Sequence, residues 1–266
     1  MRGPSSAGTG RNGDAIMGLL STTDEWNDTV ATWAGIQDAP ARRNRRRVAG
    51  IRALNNSVLE KHFASSHWIM PGVWFIPVIV YCVYASVAVR GLTAPVIAMC
   101  IVAGVLGWSF VEYWLHRFVF HLPPTDIRPI RTVLFALHGY HHEFPSDRRR
   151  LVAPPVMSWP IASVLAVIYW SVFGAYWQAL FAGTLVGYLA YDWMHYYTHH
   201  AVPRSRFGKF MRRFHMEHHF KNAETQYGLS SPLWDFVFLT YRRPTAPTPA
   251  EVECLGGDAD PSDAAP

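Results

Sequence analysis

The chain has 266 residues, half of them hydrophobic, and a formal net charge of +5 at pH 7. This length fits one or two soluble domains or one compact membrane protein. The apolar residues concentrate between Met70 and Leu115 and between Val152 and Trp193, in stretches long enough to span a bilayer. Basic clusters at 41–47, 148–150 and 204–213 flank these stretches, which favours contact with anionic lipid headgroups over nucleic acid.

The composition predicts four sections along the chain. Residues 1–24 are rich in Gly, Ser and charge without apolar periodicity, so we expect a disordered tail. Residues 25–69 are expected to form an amphipathic, basic cytoplasmic segment that precedes the first span. In it, Trp26, Val30 and Trp33 at helical spacing indicate a short helix, either at the membrane interface or in solvent. Residues 70–243 form the membrane domain, and 244–266 a second disordered tail.

Four membrane spans are predicted in two hairpins, which makes the fold an all-α integral membrane protein. The spans run from about Pro71 to Val89, Leu92 to Tyr113, Val156 to Phe173 and Trp177 to Trp193. By the positive-inside rule, the flanking arginines place the outer ends of both hairpins in the cytoplasm.

The thirteen histidines are unevenly distributed, and most of them follow the cytoplasmic ends of the predicted spans. Helical spacing lets His138, His141 and His142 point at one location, and likewise His215, His218 and His219, as well as the pair His195 and His199. His116 and His121 are five apart, which fits a helix only if it unwinds or bends near His121.

These groups predict a metal site, because neutral imidazole is a common ligand for zinc, iron, copper and nickel. Ten such rings exceed what one ion can hold, so they suggest two ions bound almost entirely by nitrogen. His62 and His67 are interpreted as ordinary interfacial side chains. His200 is rotated about 100° from His199 on a helix, so we expect it to lie outside the ligand set.

Five stretches follow one another from about Trp108 to Tyr241: "EYWLHRFVFHLPP", "LHGYHHEFPSDRRRLVAPP", "GYLAYDWMHYYTHH", "HMEHHFKN" and "YGLSSPLWDFVFLTY". In sequence and order they resemble the integral-membrane fatty acid hydroxylase and sterol desaturase superfamily. The likeness is greatest to fatty acid 2-hydroxylases that act on sphingolipid acyl chains. It implies that residues 70–243 are a membrane and dimetal domain whose catalytic metal ligands are His116, His121, His138, His141, His142, His195, His199, His215, His218 and His219.

The resemblance implies a membrane-bound diiron oxygenase that uses O2 to hydroxylate the acyl chain of a lipid from the bilayer. Iron is expected at both metal positions, and zinc could replace it when the protein is isolated. Many relatives carry a fused cytochrome-type domain with a His-Pro-Gly-Gly loop, and this sequence contains no such loop. We therefore expect electrons from a separate donor, either cytochrome-type or a ferredoxin with its reductase.

Other functions remain open on the sequence alone. A sister oxidase of the same fold could hydroxylate or desaturate a sterol, carotenoid or amino-lipid, because histidines generate the oxidant and do not select the substrate. A metal transporter or a zinc-stabilised structural membrane protein would also be rich in histidine.

Several neighbouring residues have two interpretations. Asp192 and Glu217 could orient imidazole rings or act as interfacial charges. Tyr196 and Tyr197 are interpreted as aromatic residues of the membrane interface. The segment around Trp234 and Asp235 is expected to pack against the metal domain.

Overall fold

A computed structural model describes residues 24–34, 56–59, 65–123 and 125–245. Within these ranges every regular element is helical. The two predicted disordered tails, apart from Asp24, Pro244 and Thr245, lie outside the described residues, as do the basic segment at 41–47 and Cys254. Cys82 and Cys100 are free thiols.

The main helices are α1 (Asp24–Trp33), α2 (Met70–Ala88), α3 (Ala94–Leu115), α4 (Arg128–Leu134), α5 (Tyr140–Glu143), α6 (Pro155–Val172), α7 (Trp177–His200), α8 (Arg206–Phe220) and α9 (Leu233–Val237). Short elements complete the list: a helical turn at Ser57–Leu59, a 3-10 turn at Gly174–Tyr176, and π-helical turns at His116–Phe120 and Phe135–Gly139.

Three helices of the described chain are long and apolar enough to cross a membrane. They are Met70–Ala88, the continuous helix Ala94–Phe120, and Pro155–Val172. Each coincides with one of the first three predicted spans. Many of their large apolar side chains are exposed, as expected for surfaces that face lipid.

The fourth predicted span lies within α7, which has 24 residues and is long enough to cross a bilayer. Its composition is more polar than that of the other three, because its C-terminal half carries Asp192 and three histidines. Helices α2, α3 and α6 surround α7, and most of its residues are buried within the protein. An inner helix of this kind faces protein more than lipid.

Two glycines allow α3 and α7 to pack in direct backbone contact. A Cβ atom at Gly104 would lie 2.2 Å from the carbonyl oxygen of Leu180, and one at Gly183 would lie 2.3 Å from that of Ile101. Small residues at such contacts are typical of packed membrane helices. The contact fixes the position of α7, which carries two of the histidine ligand candidates, relative to α3.

Helix α1 packs on the protein instead of facing solvent or lipid with its apolar side. Trp26 and Val30 are buried, and the Trp26 ring lies 5.1 Å from that of Phe135 and 6.4 Å from that of Tyr140. Trp33 contacts Gly139 and Phe135 in the same cluster. The predicted helix is therefore confirmed, and its apolar face packs against the segment that carries His138 and His141, a contact that was not predicted.

We expect Gly104→Ala to destabilise the fold by about 1–3 kcal/mol, because the added methyl group would collide with backbone atoms that cannot rotate away. The measurement is the thermal unfolding midpoint in detergent. Gly107→Ala on the same helix is the matched control, since the nearest atom to its Cβ would be the Tyr169 hydroxyl at 3.5 Å. Equal stability of the two variants would contradict the role of the α3–α7 contact.

Candidate metal centre

Ten histidines converge into two groups of five, and within each group all ligand atoms lie within 4.8 Å of one another. Site 1 is defined as His116, His121, His138, His142 and His218, and site 2 as His141, His195, His199, His215 and His219. These are the ten residues that the sequence predicted as ligands. The His142 and His219 rings stack at 4.1 Å, so the two sites are adjacent.

The Nε2 atoms in each site face one another at short distances. In site 1, the Nε2 atom of His138 lies 3.2 Å from that of His116 and 2.9 Å from that of His142. The corresponding distance between His218 and His121 is 3.0 Å.

Site 2 repeats this arrangement. The Nε2 atom of His141 lies 2.9 Å from those of His195 and His219, and that of His215 lies 2.9 Å from His199 and 3.0 Å from His219. Metal–nitrogen bonds of about 2.1 Å at right angles would separate the two nitrogens by about 3 Å. Both sites therefore have the spacing expected of ligands that share an ion.

The two H-x-x-H-H motifs divide between the sites, which corrects the prediction that each motif points at one location. His138 and His142 belong to site 1 while His141 belongs to site 2, and His215 and His219 belong to site 2 while His218 belongs to site 1. Helix geometry explains the division. Residues four apart differ in direction by about 40°, whereas the adjacent third histidine points about 100° away from its neighbour.

Two π-helical turns bring site 1 together. His116 begins the turn His116–Phe120, and the N–H of His121 donates to the carbonyl oxygen of His116 at 3.3 Å. A π turn accommodates an additional residue, so positions five apart come to lie on one face. The predicted departure from ideal helix near His121 is confirmed. The second turn, Phe135–Gly139, carries His138.

Backbone carbonyls of the C-terminal segment hold two rings of site 1. His116 donates from Nδ1 to the carbonyl oxygen of Tyr227 at 2.6 Å, and His218 donates from Nδ1 to that of Thr225 at 2.7 Å. A proton held at Nδ1 leaves Nε2 with a free lone pair. These contacts therefore fix the tautomer that a metal ligand requires.

Two carboxylates in turn hold the carbonyl-bearing segment. Glu112 of α3 accepts from the N–H groups of Leu229 and Ser230, at 2.7 and 2.8 Å, and from the Ser230 hydroxyl. Asp235 accepts from the N–H groups of Tyr227 and Gly228, at 2.8 and 2.7 Å.

The expected packing of the Asp235 segment against the metal domain is confirmed. The role of Glu112 was not predicted. The sequence did contain a signal for this role, because a carboxylate such as Glu112 within an apolar span costs free energy unless it is hydrogen-bonded or functional.

Burial lowers the pKa of the histidines in this region. It lowers the pKa of His121 to about 4. For His138, His141 and His215, burial and then the neighbouring histidines lower the pKa well below its ordinary value. The rings are therefore neutral at physiological pH and carry the lone pairs that a cation needs.

The donor set fits a pair of metal ions. Neutral rings whose lone pairs face one another at about 3 Å repel unless a cation or proton lies between them. In His116 and His218 the carbonyl contacts already hold the ring proton on the opposite side. A shared cation satisfies all five rings of a site at once, and all-nitrogen ligation suits iron, zinc or copper.

An apolar cavity of about 420 Å³ adjoins the two sites. His138 of site 1 and His141 and His195 of site 2 contribute to its wall. The remaining wall is mainly apolar and comes from α2, α3, α6 and α7, from the stretch around His138, and from the segment 150–154. The cavity therefore connects the candidate metal centre with the interior of the helix bundle.

Among the other candidates, Asp192 and Glu217 contact no imidazole through the hydrogen bonds that the structure shows. Asp192 accepts from the N–H of Ala153 and the Tyr188 hydroxyl, and Glu217 accepts from Lys221, Gln226 and Thr245. Both carboxylates therefore hold neighbouring segments of the chain in place.

The remaining histidines and tyrosines lie outside the two groups. His200 belongs to neither site, as predicted, and its ring lies beside Tyr196. Tyr196 stacks on Trp68 at 5.9 Å, while the Tyr197 hydroxyl faces Gly208. His67 is exposed away from both sites, and His62 lies outside the described residues.

Comparisons with known proteins agree on one family. Residues 101–240 match the family model described as fatty acid hydroxylase. A dihydroceramide fatty acyl 2-hydroxylase of Arabidopsis thaliana is 38% identical over 185 residues, which cover 68% of this chain and 75% of that protein. A ceramide very long chain fatty acid hydroxylase of Saccharomyces cerevisiae is 36% identical over 206 residues, covering 74% of this chain and 51% of that protein.

A solved structure is also similar. It is that of full-length scs7p, in which only the hydroxylase domain is visible. It superposes with a TM-score of 0.68 at 27% identity, over 89% of this chain and 95% of that one.

We expect His141→Ala to lower the metal content of the purified protein substantially and His200→Ala to leave it unchanged. His141 has Nε2 neighbours at 2.9 Å in site 2, whereas His200 is in neither site. Elemental analysis of both variants after reconstitution with iron is the measurement. Equal loss of metal from both would contradict the ligand set.

We also expect Asp235→Ala to weaken metal binding without changing any histidine. Its loss would free the Tyr227 and Gly228 amides and loosen the carbonyl that holds His116, and outer partners of this kind typically contribute about 10–100-fold to metal affinity. The measurement is iron retention during titration with a chelator. Glu224→Gln, in the same segment and exposed to solvent, is the control. Unaltered retention in Asp235→Ala would rule out this anchoring role.

Proposed function

Because the chain belongs to the fatty acid hydroxylase family, we infer that it is a membrane enzyme that hydroxylates a fatty acyl chain at the carbon next to the carbonyl group. The observation that carries this inference is the position of two five-histidine sites at the end of an apolar cavity. The position of the hydroxyl group follows the name of the Arabidopsis thaliana relative, a dihydroceramide fatty acyl 2-hydroxylase.

We propose that the ten histidines of sites 1 and 2 are the metal ligands and that both ions are iron. Bound iron would supply the activation of dioxygen that oxidation of an unactivated C–H bond requires. Overall, one oxygen atom enters the C–H bond and the other leaves as water, with electrons and protons delivered from outside the substrate.

The protein's own contribution is positioning. Opposed imidazoles fix where an ion is held, and the carbonyl groups of Tyr227 and Thr225 hold ring protons away from the Nε2 atoms. The apolar wall of the cavity excludes water and holds an acyl chain beside His138, His141 and His195. Because these rings come from both sites, a chain in the cavity would lie next to both ions.

We propose that α7 is the fourth span and that the metal centre is on the cytoplasmic side. Arg148 and Arg149 follow the histidines of α5, while Arg204 and Arg206 lie between those of α7 and α8, and all four are exposed. Such cations favour the cytoplasmic surface. Residues 70–243 would then form one membrane and dimetal domain.

The reaction consumes electrons beyond those taken from the C–H bond. We propose that a separate carrier supplies them, either a cytochrome-type protein or a ferredoxin with its reductase. The exposed arginines on the same side as the histidines support docking of such a carrier close to the metal centre.

Expression of the full chain in a host without its own fatty acid hydroxylase should produce lipids that gain one oxygen atom. Growth under isotopically labelled dioxygen and fragmentation mass spectrometry would locate the label on the carbon next to the carbonyl. His141→Ala should reduce the product to background while His200→Ala retains it. Labelled oxygen in a sterol or carotenoid, or loss of hydrogen without gain of oxygen, would instead indicate a sister activity.

A further inference from the structure

The cavity has two chemically different ends. The histidines, Tyr140 and Arg150 lie at one end, and the guanidinium of Arg150 lies 4.4 Å from the centre of the Tyr140 ring. Toward the other end the wall consists of side chains such as Phe75, Ala162 and Leu165. An elongated ligand with one polar end is therefore favoured with that end beside the histidines, Tyr140 and Arg150.

Polar groups along the wall are already engaged with the protein. The Tyr188 hydroxyl donates to Asp192 at 3.2 Å, and the Ser158 hydroxyl donates to the carbonyl oxygen of Pro154 at 3.3 Å. Glu112 is held by Leu229 and Ser230. Since hydrogen-bonded groups gain little from a further partner, the wall beyond the histidines favours hydrocarbon.

Along α7 and α6 the lining of the cavity stops at Thr184 and Leu165, and three helices are joined at Thr184. The hydroxyl groups of Thr184 and Tyr169 are hydrogen-bonded at 2.8 Å, and the Thr184 hydroxyl lies 3.4 Å from the carbonyl oxygen of Gly104. These contacts join α7 to α6 and to α3. The backbone contact at Gly104 and Gly183 lies next to Thr184, so it leaves no room for a ligand to continue between α3 and α7.

The distance from the histidines to this end is set by α7. His195 and Thr184 both line the cavity, and a helical rise of 1.5 Å per residue separates them by about 16 Å. With carbon–carbon bonds of about 1.5 Å, an extended chain advances roughly 1.3 Å per carbon, so the space receives roughly a dozen carbons. If oxidation occurs next to the polar end, the rest of the chain must extend toward Thr184.

We propose that the closed end at Thr184 selects the length of the acyl chain that is hydroxylated, with Ala162 and Leu165 lining the part that receives the methyl end. The selection of chain length rests on the proposed function, whereas the seating of an acyl chain in the cavity does not. Chains that are too long cannot place the carbon next to the carbonyl at the histidines. Chains that are too short lose apolar contact that helps to position them.

The matched pair of variants is Ala162→Phe and Val164→Phe, both on α6. Ala162 is buried and lines the cavity, whereas Val164 is 59% exposed on the opposite face of the helix. Ala162→Phe should lower the ratio of long to short hydroxylated chains by about tenfold or more, because a hydrophobic pocket discriminates at this level for each methylene group. Val164→Phe should leave the ratio unchanged. Iron content monitors the integrity of both variants.

Leu165→Ala tests the opposite change, a longer cavity, and keeps the proposal testable if Ala162→Phe does not fold. Removing this side chain deepens the cavity, so the product profile should move to longer chains. Unchanged profiles in both Ala162→Phe and Leu165→Ala, with wild-type iron content and wild-type total activity, would overturn the proposal.

Photolabelling with a fatty acid that carries a diazirine at its methyl end tests where the chain binds, independently of whether it is hydroxylated. Photolysis of the full protein should label the peptides that contain Leu165 and Thr184, and Ala162→Phe should reduce this labelling whether or not turnover occurs. Labelling at the closed end without hydroxylation would contradict the proposed function alone. Labelling confined to lipid-facing positions such as Val164 and Val167 would overturn the inference on chain length.

Discussion

The mutual repulsion of facing imidazole lone pairs is the constraint on which the rest of this structure depends. Ten rings are gathered at nitrogen–nitrogen distances near 3 Å, and burial disfavours a second proton on each ring. A bound cation satisfies all five rings of a site at once, whereas a shared proton satisfies only one pair of rings. Folding of this domain and loading of the metal are therefore expected to be thermodynamically linked, because an ion that binds the native rings better than the unfolded chain stabilises the fold.

The departures from regular α-helix beside the candidate metal centre follow from the same constraint. Regular α-helix offers positions at three and four residues, and site 1 draws two ligands from positions five apart. The π-helical turn at His116–Phe120 resolves this conflict by widening one turn. The C-terminal segment then supplies carbonyls to His116 and His218, so residues more than a hundred positions apart in sequence cooperate in one site. The carboxylates of Glu112 and Asp235 determine where those carbonyls lie.

The sequence was sufficient for features that depend on local spacing or run length. Three spans follow from uninterrupted apolar runs, and the ten converging histidines follow from motifs at the ends of those runs. Helix geometry turns one histidine of each H-x-x-H-H motif away from the other two, but the second group that it joins comes from other helices, and a single motif does not show where those helices lie. The packing of α1 also escaped prediction, because an amphipathic pattern shows that a face is buried without showing whether lipid or protein buries it.

The difference between α7 and the other long helices connects the fold to the chemistry. Helices α2, α3 and α6 expose apolar side chains outward and thereby provide a shell, whereas α7 is enclosed by them and is free to carry polar residues. Its polar residues have separate roles: Thr184 bonds to Tyr169 of α6, Asp192 anchors the segment before α6, and His195 and His199 enter site 2. One buried helix thus fixes both the position of the oxidising centre and the depth of the space before it. Any shift of α7 along its axis would change both together, and the backbone contact with α3 at Gly104 and Gly183, which leaves no clearance, opposes such a shift.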